Sequence, residues 1–270
     1  MNYRNKTFLI LLVPGLLLAG CSTSRYSQRH DSAPVRDIDV SQVPDAVPRN
    51  EPLSKYGNPD SYTVYGRRYT VLNSADGYSE RGIASWYGKK FHGHRTSSGE
   101  PYDMYAMSAA HKTLPLPSYV RVTNLKNRKS VIVRVNDRGP FHQNRLIDLS
   151  YVAAKKLGII DTGTGMVEVT VLRPGAMPSQ VPRTASEESA TEAEMQLYLQ
   201  VGAFVSRHNA EQLRDKLHRQ FTRLTIQSAY NANEKLYRVR IGPLASVDEA
   251  DELAMTLTRK GFTPPHIVID

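Results

Sequence analysis

Hydrophobic positions along the chain fall into three regimes, each marking a different kind of element. Residues 8–18 form a continuous apolar run behind Arg4 and Lys6, closed by Leu18-Ala19-Gly20-Cys21. Its eleven residues are too few to cross a bilayer and suit the core of a secretory signal, here residues 1–20. Between Ser22 and about Asp60 no apolar period exists, and Pro, Ser, Asp and Arg dominate. That composition predicts a flexible tether over residues 21–61.

Residues 62–172 carry an apolar signal of period two. Val120-Arg121-Val122-Thr123, Val131-Ile132-Val133-Arg134-Val135 and Val167-Glu168-Val169-Thr170-Val171-Leu172 read as β-branched strands, the first two joined by a turn at Asn124-Leu125-Lys126-Asn127. Asp148-Leu149-Ser150 caps a short helix expected to run through Leu157 and stop at Gly158. Many short strands with little helix predict a small closed barrel. Residues 173–195 are almost free of large apolar side chains and read as a linker. Beyond it, residues 196–270 read β-α-β-β-α-β, with strands at 197–203, 223–227, 236–241 and 266–269. Ser206 leads the first helix, and the capping box Ser246-Val247-Asp248-Glu249 leads the second. Two helices cover only one face of a four-stranded antiparallel sheet, so the other face is left to bind something.

Charge changes the picture next. The 270 residues include 35 Lys+Arg and 26 Asp+Glu, a net charge of +9, which calls for nucleic acid, a membrane surface or an acidic polysaccharide as partner. Residues 80–172 hold 14 basic and 7 acidic side chains, whereas residues 196–270 hold 10 and 8, so the argument belongs mainly to the first module. A single cysteine excludes a disulfide scaffold. It stands in Leu-Ala-Gly-Cys, which resembles the bacterial lipobox; that resemblance implies a lipid anchor on Cys21. Ser22, rather than Asp, after the cysteine implies the periplasmic face of a Gram-negative outer membrane. Export argues against nucleic acid.

Reactive side chains gather in short stretches of the first module: Gly82-Ile83-Ala84-Ser85-Trp86-Tyr87-Gly88, residues 91–104, residues 109–115, and Val135-Asn136-Asp137-Arg138-Gly139-Pro140-Phe141. Read alone, Asp137 is more often a turn former than a catalytic acid, and Glu100 more often a solvated loop carboxylate. His92, His94, His111 and His142 lack metal-ligand spacing, so no metal is expected. Trp86 and Tyr87 read as partly core, although an exposed aromatic can stack on a sugar ring.

From about Gly82 to Gly158 these motifs resemble, nearly residue by residue, the barrel of the rare lipoprotein A family of septal lytic transglycosylases. The resemblance implies a six-stranded double-psi β-barrel that needs no cofactor. It also implies cleavage of the MurNAc-β-1,4-GlcNAc bond of peptidoglycan without water, the C6 hydroxyl of the same MurNAc closing a 1,6-anhydro ring. With an internal nucleophile, one carboxyl can act as acid and then as base where a glycosidase normally needs two. Asp137 is the implied carboxyl, with Glu100, Asp103 and His111 around the cleft and Trp86, Tyr87 and Arg138 as sugar contacts.

The second module, through Gln200-Val201-Gly202-Ala203-Phe204 and residues 237–244, resembles the SPOR domain. That implies an α+β fold binding peptidoglycan glycan strands that lack stem peptides, through Gln200, Phe204, Arg238 and Arg240. Alternation places Arg238, Arg240 and Gln200 opposite the helices, and a guanidinium can take a lactyl carboxylate through two hydrogen bonds. Together the resemblances imply a membrane-anchored enzyme enriched at the division septum, with division-site proteins as further candidate partners. The rival reading is a non-catalytic, expansin-like wall binder built on the same barrel.

Overall fold

The computed structural model describes residues 31–35, 38–142, 144–174, 196–221, 225–231 and 235–269. The signal segment, Cys21 and most of the linker lie outside the described residues. A short hairpin, β1 (Ser61–Val64) and β2 (Arg67–Thr70), precedes the barrel. The barrel strands are β3 (Ser79–Tyr87), β4 (Ser108–His111), β5 (Ser118–Asn124), β6 (Ser130–Asp137), β7 (Arg145–Ser150) and β8 (Gly165–Val171). They close in the order β3-β7-β4-β6-β5-β8, with β3–β7 and β4–β6 parallel and the other pairs antiparallel. Val120, Val122, Val133, Val135, Ile147, Leu149, Val167 and Val169 are fully buried in its core. Each such side chain contributes roughly 1.5–3 kcal/mol by leaving water.

Helix α1 (Tyr151–Leu157) follows β7. Its cap is Ser150, whose side chain accepts from the Ala153 amide, and Gly158 ends it in the left-handed region at φ +77°. Asp148 therefore belongs to β7 and does not cap the helix.

The largest departure from expectation is the supposed tether. Residues 38–60 form an ordered strap on the barrel. Ile38, Val40, Val43 and Ala46 pack against the core. Next to Ile132 the edge of β6 is not taken by β4, and the strap occupies it: Ala46 N donates to Ile132 O (3.0 Å) and Ile132 N to Asp45 Oδ2 (3.1 Å). Unpaired strand edges must be covered, and here the strap covers one. Lys156, in the last turn of α1, reaches Asp45 (2.6 Å) and the Val43 carbonyl (2.8 Å).

In the second module β9 (Leu197–Phe204), β10 (Ile226–Asn231), β11 (Leu236–Leu244) and β12 (His266–Ile269) form an antiparallel sheet ordered β10-β11-β9-β12. Helices α2 (Arg207–Gln220) and α3 (Val247–Arg259) carry the expected caps, Ser206 and Ser246. β10 begins three residues later than the sequence reading placed it. Leu199, Val239, Ile241, Ala210, Leu217 and Leu257 make the core of this module.

Candidate active site

The barrel alternation of β6 points Val133 and Val135 inward, so Asp137 would by parity point inward too. A bulge prevents this. On β4, Ala109 pairs with Val135 but Ala110 pairs with Asp137, leaving Asn136 as the extra residue. One extra residue reverses the alternation, and the Asp137 carboxylate emerges at the rim of the barrel.

There it meets the turn at residues 96–100. Thr96 N donates to Glu100 O (2.8 Å) and Gly99, at φ +94°, donates to Thr96 O. This turn aims Ser97 at Asp137. Oδ1 accepts from Ser97 N (2.7 Å), Ser97 Oγ (2.6 Å) and Arg138 N (2.7 Å). Among the described residues no donor addresses Oδ2. One carboxylate oxygen is thus fixed, while the other takes no hydrogen bond from the described residues on a side chain that is only partly buried.

Glu100 is held differently. Burial alone would raise its pKa, but hydrogen bonds from Arg134 and Asn136, with the charge of Arg134, outweigh burial and hold the carboxyl below its usual value. Arg134 Nη1 forks to both Glu100 oxygens (3.0 and 2.8 Å), and Asn136 Nδ2 donates to Oε2 (3.0 Å). An acid that stays ionised cannot supply a proton. Glu100 instead grips Asn136, the bulged neighbour of Asp137.

His111 is 1% exposed. Its Nδ1 accepts from the Thr113 and Leu114 amides (3.2 and 3.1 Å), which leaves Nε2 to face the Tyr78 hydroxyl at 3.0 Å. Burial, then the charges of Lys112 and Arg138, push its pKa down to about 3. The ring is neutral and supports the turn after β4. Asp103 is exposed and accepts from Tyr105 N (2.9 Å). No hydrogen bond or ion pair among the described residues joins Asp103 or His111 to Asp137.

Three expected sugar contacts have other roles. The Arg138 side chain donates to the carbonyls of Gly57 (2.8 Å), His111 (3.1 Å) and Leu114 (2.5 Å) and to Asn58 Oδ1 (3.1 Å), so it clamps main chain. Tyr87 is buried, stacked on Tyr102 at 4.0 Å. Phe204 is turned over by a second bulge: Val239 pairs with Gly202 and Arg240 with Gln200, which leaves Val201 as the extra residue and sends Phe204 to the helix side, packed against the core. Trp86 is half-buried, edge-on to Tyr151 at 5.9 Å.

The face of the second sheet opposite the helices carries Gln200, Arg238 and Arg240, joined by His266, with Gln200 buried at its centre and the arginines partly buried. Gln200 Nε2 lies 3.3 Å from His266 Nε2, and the Arg240 guanidinium lies over the Tyr198 ring at 5.9 Å. Burial and the neighbouring arginines lower the His266 pKa, so this face holds two fixed cations beside a neutral ring. Among the described residues no cluster of three or more His, Cys, Asp or Glu side chains could hold a metal ion.

Sequence reasoning passed over Ser97, Asn136 and Arg134 as individual site residues, although the first two stand inside or beside the motifs. It missed Glu51 altogether.

The family described as lytic transglycolase matches residues 79–171, and the SPOR domain family matches residues 195–268. A Vibrio cholerae protein named endolytic peptidoglycan transglycosylase RlpA is 44% identical, covering 97% of each chain. Proteins of the same name from Pseudomonas aeruginosa and Neisseria meningitidis are 42% and 46% identical, over 90% and 77% of this chain and 86% and 83% of theirs. With both modules matched in order and nearly the whole length shared, the chain belongs to the RlpA family.

Proposed function

We propose that the chain is a peptidoglycan lytic transglycosylase in which Asp137 is the acid and base, acting on strands stripped of stem peptides. The observation that carries this reading is the divided carboxylate at the end of a rigid strand: three donors on Oδ1 and, among the described residues, none on Oδ2. The protonated Oδ2 gives its proton to the departing GlcNAc oxygen as the C1–O bond breaks. The MurNAc C6 oxygen then bonds to C1, and its proton returns to Oδ2. No water is consumed, and the carboxyl ends as it began.

Glu100 and His111 serve this site by positioning, the first through Asn136 and the second through the turn that Arg138 also clamps. The relatives' shared name supports peptidoglycan as substrate. The SPOR module's open face, with Gln200, Arg238, Arg240 and His266, supports capture of the lactyl carboxylates exposed on peptide-free strands, and hence delivery to the septum. Purified sacculi treated with amidase test the reaction: 1,6-anhydro muropeptides are the expected product, and their absence would refute it.

Cys21 carries the proposed lipid anchor on the outer membrane. Two or three acyl chains bind durably, at about 0.8 kcal/mol per buried methylene. Cells fed labelled palmitate should label the wild-type protein and not Cys21→Ala; equal labelling of both would sink the anchor.

A further inference from the structure

We infer that the strap between the anchor segment and the barrel is part of the catalytic site, with Glu51 as a positioning residue that holds the bulge aiming Asp137. The inference rests on the assignment of Asp137 above.

A bulge is an unpaired irregularity in a ladder, and its geometry has to be fixed by contacts outside the ladder. Here the fixing contacts form an unbroken chain. Arg134 and Asn136 stand two residues apart on β6 and share its outer side, while Val133 and Val135 fill the core. Glu51 takes Arg134 by two parallel bonds, Nε to Oε1 at 3.2 Å and Nη2 to Oε2 at 2.8 Å. The Tyr119 hydroxyl also donates to Glu51 Oε1. The remaining nitrogen of the fork, Nη1, holds Glu100, and Glu100 holds the Asn136 amide. Asn136 O in turn accepts from Ser98 N (3.3 Å), next to the Ser97 that pins Asp137.

A guanidinium is a rigid planar fork, so fixing one edge fixes where the other points. With Glu51 in place, Arg134 can present Nη1 to Glu100 in one direction only. Without it, the fork pivots about its stem and Glu100 follows.

The strap also grips the other side of Asp137. Ser54 Oγ donates to Ser98 O (3.0 Å), and Arg138 Nε donates to Gly57 O (2.8 Å). Gly57 sits at φ +84°, so close to the turn that a Cβ there would stand 2.7 Å from Ser97 O. Both backbone donors to Asp137, from Ser97 and Arg138, are therefore flanked by residues 51–58.

The test uses the full chain and initial rates on peptide-free glycan strands. Glu51→Ala should lower kcat about tenfold with KM within twofold. Glu51→Gln, which keeps one oxygen toward Arg134, should recover about half of the loss. Combining Glu51→Ala with Arg134→Leu should be no worse than Arg134→Leu alone. A second readout needs no turnover: amide hydrogen exchange at Ser97 and Arg138 should speed severalfold in Glu51→Gln while core amides such as Val133 are unchanged. Unchanged kcat with unchanged exchange overturns the inference, as does an effect confined to KM or a uniform rise in exchange across the barrel. A wild-type chain that yields no anhydro ends counts against the proposed reaction, and the exchange readout then decides the positioning role separately.

Discussion

Asp137→Asn should reduce release of 1,6-anhydro ends by about a thousandfold, within the range that a general acid–base contributes. The substitution keeps the shape of the side chain. Its carbonyl can still accept the Ser97 and Arg138 amides that now bind Oδ1. What it cannot do is release a proton and take one back at the open position. The same atom serves both halves of the reaction, and neither Glu100 nor His111 is placed to take over either half. Glu100 is kept ionised by Arg134, and His111 is neutral and turned into the barrel wall. Ser97→Ala, which removes one of the three donors and leaves the carboxyl, should cost far less, about tenfold. Binding of the Asp137 variant to peptide-free strands should match the wild type, since the SPOR face is untouched. A variant that still produced anhydro ends at the wild-type rate would remove Asp137 from the chemistry.

The parts of this protein legible in its sequence are those where one residue pattern has one structural meaning. β5, β6 and β8 alternate β-branched residues because one face of each fills the barrel. Ser206 and Ser246 announce their helices because an N-terminal amide needs an acceptor, and both side chains supply it. β4, with the sequence Ser-Ala-Ala-His, is buried throughout and shows no alternation to read. β10 is too polar to mark its own start. The strap was misread because its apolar residues, Ile38, Val40, Val43 and Ala46, follow no regular period, and the rest of its attachment is made by backbone and by Asp45 and Glu51.

The site divides the same way. Asp137 and Glu100 stood out by motif, but the direction each carboxylate faces depends on a bulge that leaves no compositional mark. The second bulge, at Val201, leaves Gln200 opposite the helices, where alternation placed it, and turns Phe204, a glycan contact by resemblance alone, to the helix side. Glu51 lies 83 residues from its partner Arg134, and nothing local to either residue announces the pair.

Barrel stability should fall as the pH drops from about 6.5, and His111 should be the main cause. Its pKa is about 3 in the folded barrel against an ordinary 6.5, because burial and two neighbouring cations disfavour the imidazolium. Between those values the unfolded chain binds a proton that the native state does not, so stability is full above pH 6.5 and declines with falling pH. At pH 5 the loss is about 2 kcal/mol, from 1.36 kcal/mol per pH unit. That corresponds to a drop in melting temperature on the order of 8 °C for a domain of this size. Other groups act elsewhere on the scale. Glu51 and Glu100, held below their ordinary values, lose their stabilising contribution only as pH falls below about 4.5. Asp148, raised by burial, binds a proton more readily when folded and so opposes the His111 trend from its ordinary 3.8 upward. His111→Asn separates the cause from the background: an Asn oxygen can accept the Thr113 and Leu114 amides as Nδ1 does, but nothing titrates. The variant should be less stable than wild type at pH 7.5, having lost the contact with Tyr78, yet its melting temperature should be nearly flat from pH 7 to pH 5. If the variant and the wild type fall in parallel across that range, His111 is not the group that carries the dependence.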